Sequence, residues 1–173
     1  MLIILEGPDC AGKTTIAQTL QTQLAVRDPR SVTTLLHRGP PTRHPLDEYV
    51  VPLLNYRPGH GEHIICDRWH LGEWVYPRVL HRETQLDDAV FNYVEMFLRS
   101  RGAVTFIISP NVGEILTRYR TRGDDRITDL ERDFVSGPCL QETRSSSRRI
   151  AEQLVGHVSE HEQFVRCELD LTE

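Results

Sequence analysis

Apolar and polar positions divide the start of the chain into a strand-like segment and a helix-like segment. Residues 2–5 form an unbroken apolar run that ends at Glu6, which is typical of a central parallel strand buried on both faces. Apolar side chains then recur at every fourth position from Thr14 onward, at Ile16, Leu20 and Leu24. This spacing predicts an amphipathic helix that ends before Pro29.

The same two patterns alternate through the rest of the chain. Four further strands are predicted, at residues 32–36, 63–66, 103–108 and 164–169. Apolar residues spaced three or four apart predict helices around Val90, Val94, Phe97 and Leu98, around Ile115, Leu116 and Tyr119, and around Ile150, Leu154, Val155 and Val158. We therefore expect a single α/β domain with a five-stranded parallel sheet flanked by helices, and with ligands at the carboxyl ends of the strands.

The loop between the first strand and the first helix has the pattern of a phosphate-binding loop. Its residues, Gly7-Pro8-Asp9-Cys10-Ala11-Gly12-Lys13-Thr14, match G-x-x-x-x-G-K-[ST]. Glycines let backbone N–H groups turn toward phosphate oxygens, and the following helix presents the positive end of its dipole. Lys13 is expected to reach the β- and γ-phosphates of ATP, and Thr14 to bind Mg²⁺. A chance match in a loop that binds nothing is the alternative, and the strand before and helix after disfavour it.

Composition narrows the class of protein. The net charge of −5 disfavours a protein that grips a nucleic acid polymer, and no apolar run is long enough to span a membrane. The opening segment is too short and too uncharged for a signal peptide, so a cytoplasmic location is expected. The scattered cysteines suggest neither a disulfide framework nor a zinc site. Lys13 is the only lysine, so the guanine-reading N-K-x-D motif of regulatory GTPases is absent and a small kinase remains.

Four segments, in order, resemble the thymidylate kinases. Residues 5–15 are similar to the family's loop, EGxDxAGKTT, and Arg38-Gly39-Pro40 is similar to its R-E-P. Asp67-Arg68-Trp69 followed by Tyr76 resembles D-R-Y…Y. The family's lid, R…RG…DRIE, is matched by Arg118, Arg122-Gly123 and Asp125-Arg126-Ile127. The resemblance implies the three-layer P-loop kinase fold, Mg²⁺ and ATP as cofactor and phosphoryl donor, a deoxynucleotide substrate, and a homodimer.

The resemblance also implies roles for individual residues. ATP would be held by Arg118 and by the loop residues Gly7, Asp9, Cys10, Ala11, Gly12, Lys13, Thr14 and Thr15. In one group of thymidylate kinases a catalytic arginine occupies the position of Cys10. This chain resembles the other group, in which a mobile, arginine-rich lid supplies the arginine, here at about residues 118–128. Arg122 and Arg126 are then the expected catalytic arginines, beside Lys13. A solvated, charged helix end is the alternative for the arginine cluster.

The acceptor side of the site is predicted partly from residue chemistry and partly from the resemblance. Asp67 directly follows an apolar strand, where its carboxylate can hold a Mg²⁺-bound water or simply cap a turn. Arginines match phosphate oxygens bidentately, so Arg38 and Arg68 are expected to clamp the acceptor phosphate unless they are solvated surface residues. The resemblance implies that Asp9 contacts the acceptor sugar. The base would stack on Trp69 or Tyr76, for which the core is the alternative; Tyr49, Tyr56, Trp74, Glu73 and Arg82 are further pocket candidates.

One departure from the family affects specificity. Thymidylate kinases carry a thymine-binding helix between R-E-P and D-R-Y, whereas only residues 41–66 fill that interval here. The helix is expected to be shortened or absent, as in a small viral or phage relative with a different base preference.

We therefore expect Mg·ATP-dependent phosphorylation of a deoxynucleoside monophosphate, such as dTMP, to the diphosphate. A deoxynucleoside kinase, which needs a carboxylate base such as Asp67 or Glu6, is the nearest alternative. A kinase of a non-nucleotide metabolite and a catalytically silent nucleotide-binding module are more distant ones.

Overall fold

The computed structural model describes residues 1–79, 82–108, 110, 114–115, 117–118 and 121. Strands and helices alternate along them: β1 (Leu2–Glu6), α1 (Lys13–Arg27), β2 (Val32–His37), α2 (Pro45–Tyr49), a 3-10 turn (Val51–Leu53), β3 (Glu62–Asp67), α3 (His70–Val79), α4 (Asp88–Ser100) and β4 (Ala103–Ile107). Glu114, Ile115, Thr117, Arg118 and Thr121 also have helical backbone. No helix in the described part of the chain is both long and apolar enough to cross a membrane.

The described strands form one four-stranded sheet in the order β2-β3-β1-β4. All three strand pairs are parallel, so the carboxyl ends lie along one edge of the sheet. At that edge Asp67 pairs in register with Leu5 of β1 and with His37 of β2. The loop after β1 and the residues after β2 and β3 are thereby brought to one place.

Helices cover both faces of the sheet because side chains of β1 alternate between them. On one face Leu2 and Ile4 pack in a buried cluster with residues of α2, the 3-10 turn, β3 and α4 and with the residue before α3: Tyr49, Leu53, Ile64, Cys66, Val94, Leu98 and Trp69. On the other face Ile3 and Leu5 pack against Ala17 of α1, with Ile16, Leu20 and Leu24 partly buried around them. The described residues thus form the three layers expected from the sequence.

The predicted strands at 32–36, 63–66 and 103–108 are confirmed, with bounds that differ by one residue. The helices predicted after the loop and around Val94 are also confirmed. The predicted strand at residues 164–169 and the predicted helix around Leu154 lie outside the described residues, so the sheet is four-stranded as far as the structure describes it.

Helix α3 was not predicted, because its sequence contains a helix breaker. Pro77 lies inside it and cannot donate the backbone hydrogen bond that the helix would place there. A tertiary contact compensates at the other end: the Glu6 carboxylate accepts hydrogen bonds from the backbone N–H groups of Trp69 (2.8 Å) and Leu71 (3.0 Å). The signal for this helix start lies far away in sequence, at the end of β1.

Candidate active site

The loop after β1 is held in a shape that depends on its glycines. Gly7 has φ of 144° and Gly12 has φ of 92°, both in the region that favours glycine. A Cβ on Gly7 would lie 2.1 Å from the carbonyl oxygen of Ile108, so the loop packs directly on the chain that follows β4. Gly12 is the residue before α1 and has no side chain to cap the helix. The first turn of α1 is therefore left open toward the loop.

Lys13 lies folded back across this loop. Its Nζ donates hydrogen bonds to the carbonyl oxygens of Gly7 (2.9 Å) and Pro8 (2.6 Å), and the residue is only 4% exposed. Burial, together with the positive charge of Arg68, lowers the pKa of Lys13 from 10.5, although nearby carboxylates act in the opposite direction. The amine therefore occupies the centre of the loop. Negative charge added there would stabilise its protonated form.

Asp67 joins the loop to β2 and β3. Its Oδ2 accepts a hydrogen bond from the Thr14 hydroxyl (2.6 Å) and lies 3.1 Å from Nδ1 of His37. Its Oδ1 is buried and has no hydrogen-bond partner among the described residues. The sequence predicts that Thr14 and Asp67 hold the metal ion. The structure places these two residues in contact, although 53 positions separate them along the chain.

Three predicted acceptor residues also meet in space. Arg68 Nη2 lies 2.6 Å from Oδ1 of Asp9, and the Asp9 backbone N–H donates to the Tyr76 hydroxyl (3.1 Å). Arg68 has a positive φ of 66°, which is uncommon for a residue with a side chain and turns the chain from β3 into α3. Its backbone N–H donates to the carbonyl oxygen of Leu5 (3.0 Å). The turn therefore points the guanidinium at the phosphate loop.

Arg38 and Trp69 form a neighbouring group. The Arg38 guanidinium lies over the Trp69 ring, 5.6 Å from its centroid, and Nε is 3.7 Å from Oε2 of Glu48. The Tyr49 ring lies beside the same ring, with centroids 5.6 Å apart. Trp69 is 2% exposed and belongs to the buried cluster under the sheet, so in this structure the predicted stacking surface is covered by Arg38 and Tyr49.

Arg118 reaches the loop from the chain after β4. Its Nη1 donates to the carbonyl oxygen of Cys10 (3.2 Å), and Nη2 lies 3.9 Å from Glu114. Arg118 thus contacts the loop, and its expected role in holding ATP stays a prediction. Arg122 and Arg126, the predicted catalytic arginines, lie outside the described residues, as does most of the predicted lid.

A buried carboxylate on α3 lies near the same region. Glu73 is 4% exposed and accepts hydrogen bonds from Arg82 Nη2 (2.6 Å) and the Thr84 hydroxyl (2.5 Å). The negative charge of Glu73 is one of the causes that raise the pKa of Tyr49, after burial. Glu73 and Arg82, proposed from sequence as pocket residues, are therefore paired with each other.

Sequence reasoning missed two side chains that contact the predicted site: His37, which contacts Asp67, and Glu48, which contacts Arg38. Glu6, named from sequence as a candidate base, is the last residue of β1 and also caps α3. His37 could have been found, since it ends a predicted strand at the edge where Asp67 ends the next one. The contact of Glu48 depends on the path of the chain through α2, for which the sequence shows no clear signal.

Comparison with known proteins shows the fold. Neither the protein-family models nor the curated proteins contain a match to this chain. A solved structure of YorR from Bacillus subtilis, in complex with phosphorylated GDP, matches 94% of this chain and 99% of its own with 21% identity and a TM-score of 0.60. Deoxyadenosine kinase from M. mycoides with bound dATP matches 91% of this chain and 86% of its own, with 16% identity and a TM-score of 0.49. The chain therefore shares the α/β fold of YorR, with a parallel sheet and a phosphate-loop sequence between β1 and α1.

Proposed function

We propose that this protein transfers the γ-phosphoryl group of Mg·ATP to a deoxynucleoside monophosphate, as the thymidylate kinases it resembles do. The observation that supports this most is the arrangement around the loop. Lys13 occupies its centre, Arg118 contacts it from one side, and the Arg68–Asp9 pair lies beside it. Phosphoryl transfer needs two anionic substrates aligned and their charge neutralised, and cations placed around a phosphate loop are suited to that task.

The residues beside the loop fit Mg²⁺. This ion prefers oxygen ligands, often one or two protein groups together with water and substrate phosphates. Thr14 offers a hydroxyl and Asp67 a carboxylate, and Oδ1 of that carboxylate is buried without a partner among the described residues. These two residues would hold the ion, directly or through water. When bound, it would neutralise charge on the transferred phosphoryl group.

The pairing of the carboxylates supports a monophosphate acceptor. A nucleoside acceptor needs a carboxylate base within hydrogen-bond reach of its hydroxyl, whereas a monophosphate oxygen is already a nucleophile. Glu6 caps α3 through two backbone hydrogen bonds, and Asp67 is engaged by Thr14 and His37. Asp9 is paired with Arg68. None of these three is poised as a general base in this structure.

One observation favours the deoxynucleoside kinase alternative. Burial raises the pKa of Glu6, and a carboxylate with a raised pKa is a better proton acceptor than an ordinary one. If the contact of Glu6 with α3 loosens when substrate binds, this group becomes a candidate base.

The assay that separates the two functions measures ADP release from Mg·ATP with a panel of nucleosides and nucleoside monophosphates. Mass spectrometry of the product then identifies a diphosphate or a monophosphate. We expect turnover with at least one deoxynucleoside monophosphate and none with nucleosides. Turnover only with nucleosides would establish the alternative, and ATP binding without turnover on any acceptor would indicate a silent binding module.

Variants test the assigned residues in the same assay. Lys13→Ala should abolish turnover, while Arg30→Ala, at an exposed arginine beyond α1, serves as the matched control and should leave it unchanged. Arg122→Ala or Arg126→Ala should lower kcat by about 10³-fold if that residue neutralises the transferred group, by analogy with arginine fingers. An unchanged rate in both arginine variants would remove the catalytic role of the lid.

A further inference from the structure

His37 occupies a position that the phosphate-loop motif does not require. It is the last residue of β2, directly before Arg38, and its main chain pairs in register with Asp67. Its Nδ1 lies 3.1 Å from Oδ2 of Asp67, while 56% of its side chain is exposed. The contact is therefore local to the carboxyl edge of the sheet and contributes little to the buried core.

The chemistry of this contact fixes the tautomer of the imidazole. A carboxylate oxygen can only accept, so Nδ1 must bear the proton and donate it. The same Oδ2 also accepts from the Thr14 hydroxyl at 2.6 Å. Two donors thus converge on one carboxylate oxygen, and the other, Oδ1, is left buried and without a partner among the described residues.

We propose that His37 is a positioning residue, which holds the Asp67 carboxylate in the orientation that presents Oδ1 to Mg²⁺ or to its water. This inference rests on the proposed function, since it assumes that the protein binds Mg·ATP. Side chains that orient a metal-binding carboxylate act through hydrogen bonds, and their removal commonly weakens metal binding by about 10- to 100-fold. Without His37, the Asp67 carboxylate keeps, among the described residues, the hydrogen bond from Thr14 alone and can rotate away from the loop.

The chain allows a clean test, because asparagine can imitate the relevant atom. Nδ2 of asparagine, like Nδ1 of histidine, is bonded to Cγ, so His37→Asn keeps a donor close to the same place. His37→Leu removes the donor and keeps comparable bulk. His60→Leu is the matched control, since His60 is exposed in the connection before β3, beyond the amino end of that strand.

Calorimetry should compare binding of ATP with Mg²⁺ and binding of ATP in EDTA. Paramagnetic resonance of Mn²⁺ in the presence of ATP gives a second, direct readout of the metal. For His37→Leu we expect metal affinity about tenfold weaker, at the low end of the range because the contact is half exposed. ATP affinity in EDTA should be unchanged, and His37→Asn should recover most of the metal affinity. In turnover, the Leu variant should need more Mg²⁺ for half-maximal rate and keep its kcat at saturating Mg²⁺.

Two results would overturn the positioning role. Equal Mn²⁺ and Mg·ATP affinity in His37→Leu and the unchanged protein would show that Asp67 needs no help. Equal losses in the Asn and Leu variants would show that the imidazole acts other than by donating from Nδ1. Failure of the unchanged protein to bind ATP with or without metal is a different outcome, which would overturn the proposed function itself.

Discussion

Substitutions of Glu6 can distinguish two roles for its carboxylate. A group that caps α3 and a group that acts as a catalytic base respond differently to the same substitutions. The carboxylate is 2% exposed, and its Oε1 accepts both the Trp69 and Leu71 backbone N–H groups. Glu6→Gln keeps an oxygen that can accept these bonds, whereas Glu6→Ala leaves two buried donors without a partner. Each orphaned donor costs about 1–3 kcal/mol, so we expect Glu6→Ala to lower the free energy of unfolding by about 2–6 kcal/mol.

The Gln variant should lose far less stability, and its stability relative to the unchanged protein should depend on pH. Burial raises the pKa of Glu6 above 4.5, so the folded protein binds this proton more tightly than the unfolded chain does. The contribution of Glu6 to stability therefore falls as pH rises through the raised value. Glutamine does not titrate. As pH rises over the same range, the free energy of unfolding of Glu6→Gln should therefore increase relative to that of the unchanged protein.

Urea denaturation followed by circular dichroism from pH 5 to pH 9 measures both effects, and kcat with the best acceptor is measured in parallel. Glu83→Gln and Glu83→Ala, at an exposed glutamate between α3 and α4, are matched controls that should change neither. Equal destabilisation by Gln and Ala would refute the cap. A folded Glu6→Gln that loses about 10²-fold or more in kcat would instead identify Glu6 as the base and favour a nucleoside acceptor.

Three further predictions test the loop and its neighbours. Gly7→Ala should destabilise the protein by about 1–3 kcal/mol or more and abolish ATP binding, because its Cβ would lie 2.1 Å from the carbonyl oxygen of Ile108; urea denaturation and calorimetry measure the two effects. The pKa of Lys13 is lowered in the free protein and phosphates should raise it, so ATP binding at alkaline pH should take up protons. Calorimetry in buffers of different ionisation enthalpy measures this uptake. Arg68→Ala should raise KM for the acceptor about 10- to 100-fold and leave ATP affinity unchanged, as steady-state kinetics and calorimetry would show.

Each of these predictions has a contradicting result. Normal ATP affinity in Gly7→Ala would mean that the loop tolerates a different shape. Proton uptake that persists in Lys13→Met would assign it to another group. A loss of ATP affinity in Arg68→Ala, with KM for the acceptor unchanged, would move Arg68 to the donor side.

The order of strands and helices could be predicted from sequence, because the two kinds of element have different apolar patterns. A central strand is buried on both faces and gives a continuous apolar run, whereas a helix buried on one face gives apolar residues three or four apart. The runs at β1 and β3 are nearly continuous, and α1 and α4 repeat apolar residues every three or four positions. Helix α3 could not be predicted, because Pro77 argues against a helix and the Glu6 cap that supports its start comes from another strand.

The phosphate loop is a local feature, so the sequence alone predicted where phosphate would bind and which lysine would contact it. Contacts between distant parts of the chain were decided by the tertiary structure. The parallel sheet brings Thr14, His37 and Asp67 to one edge, and the turn at Arg68 directs its guanidinium to Asp9. Such contacts produce no periodic pattern in the sequence, since each needs only one residue at the end of a strand. The register between strands, which no single segment encodes, determines which of these ends meet.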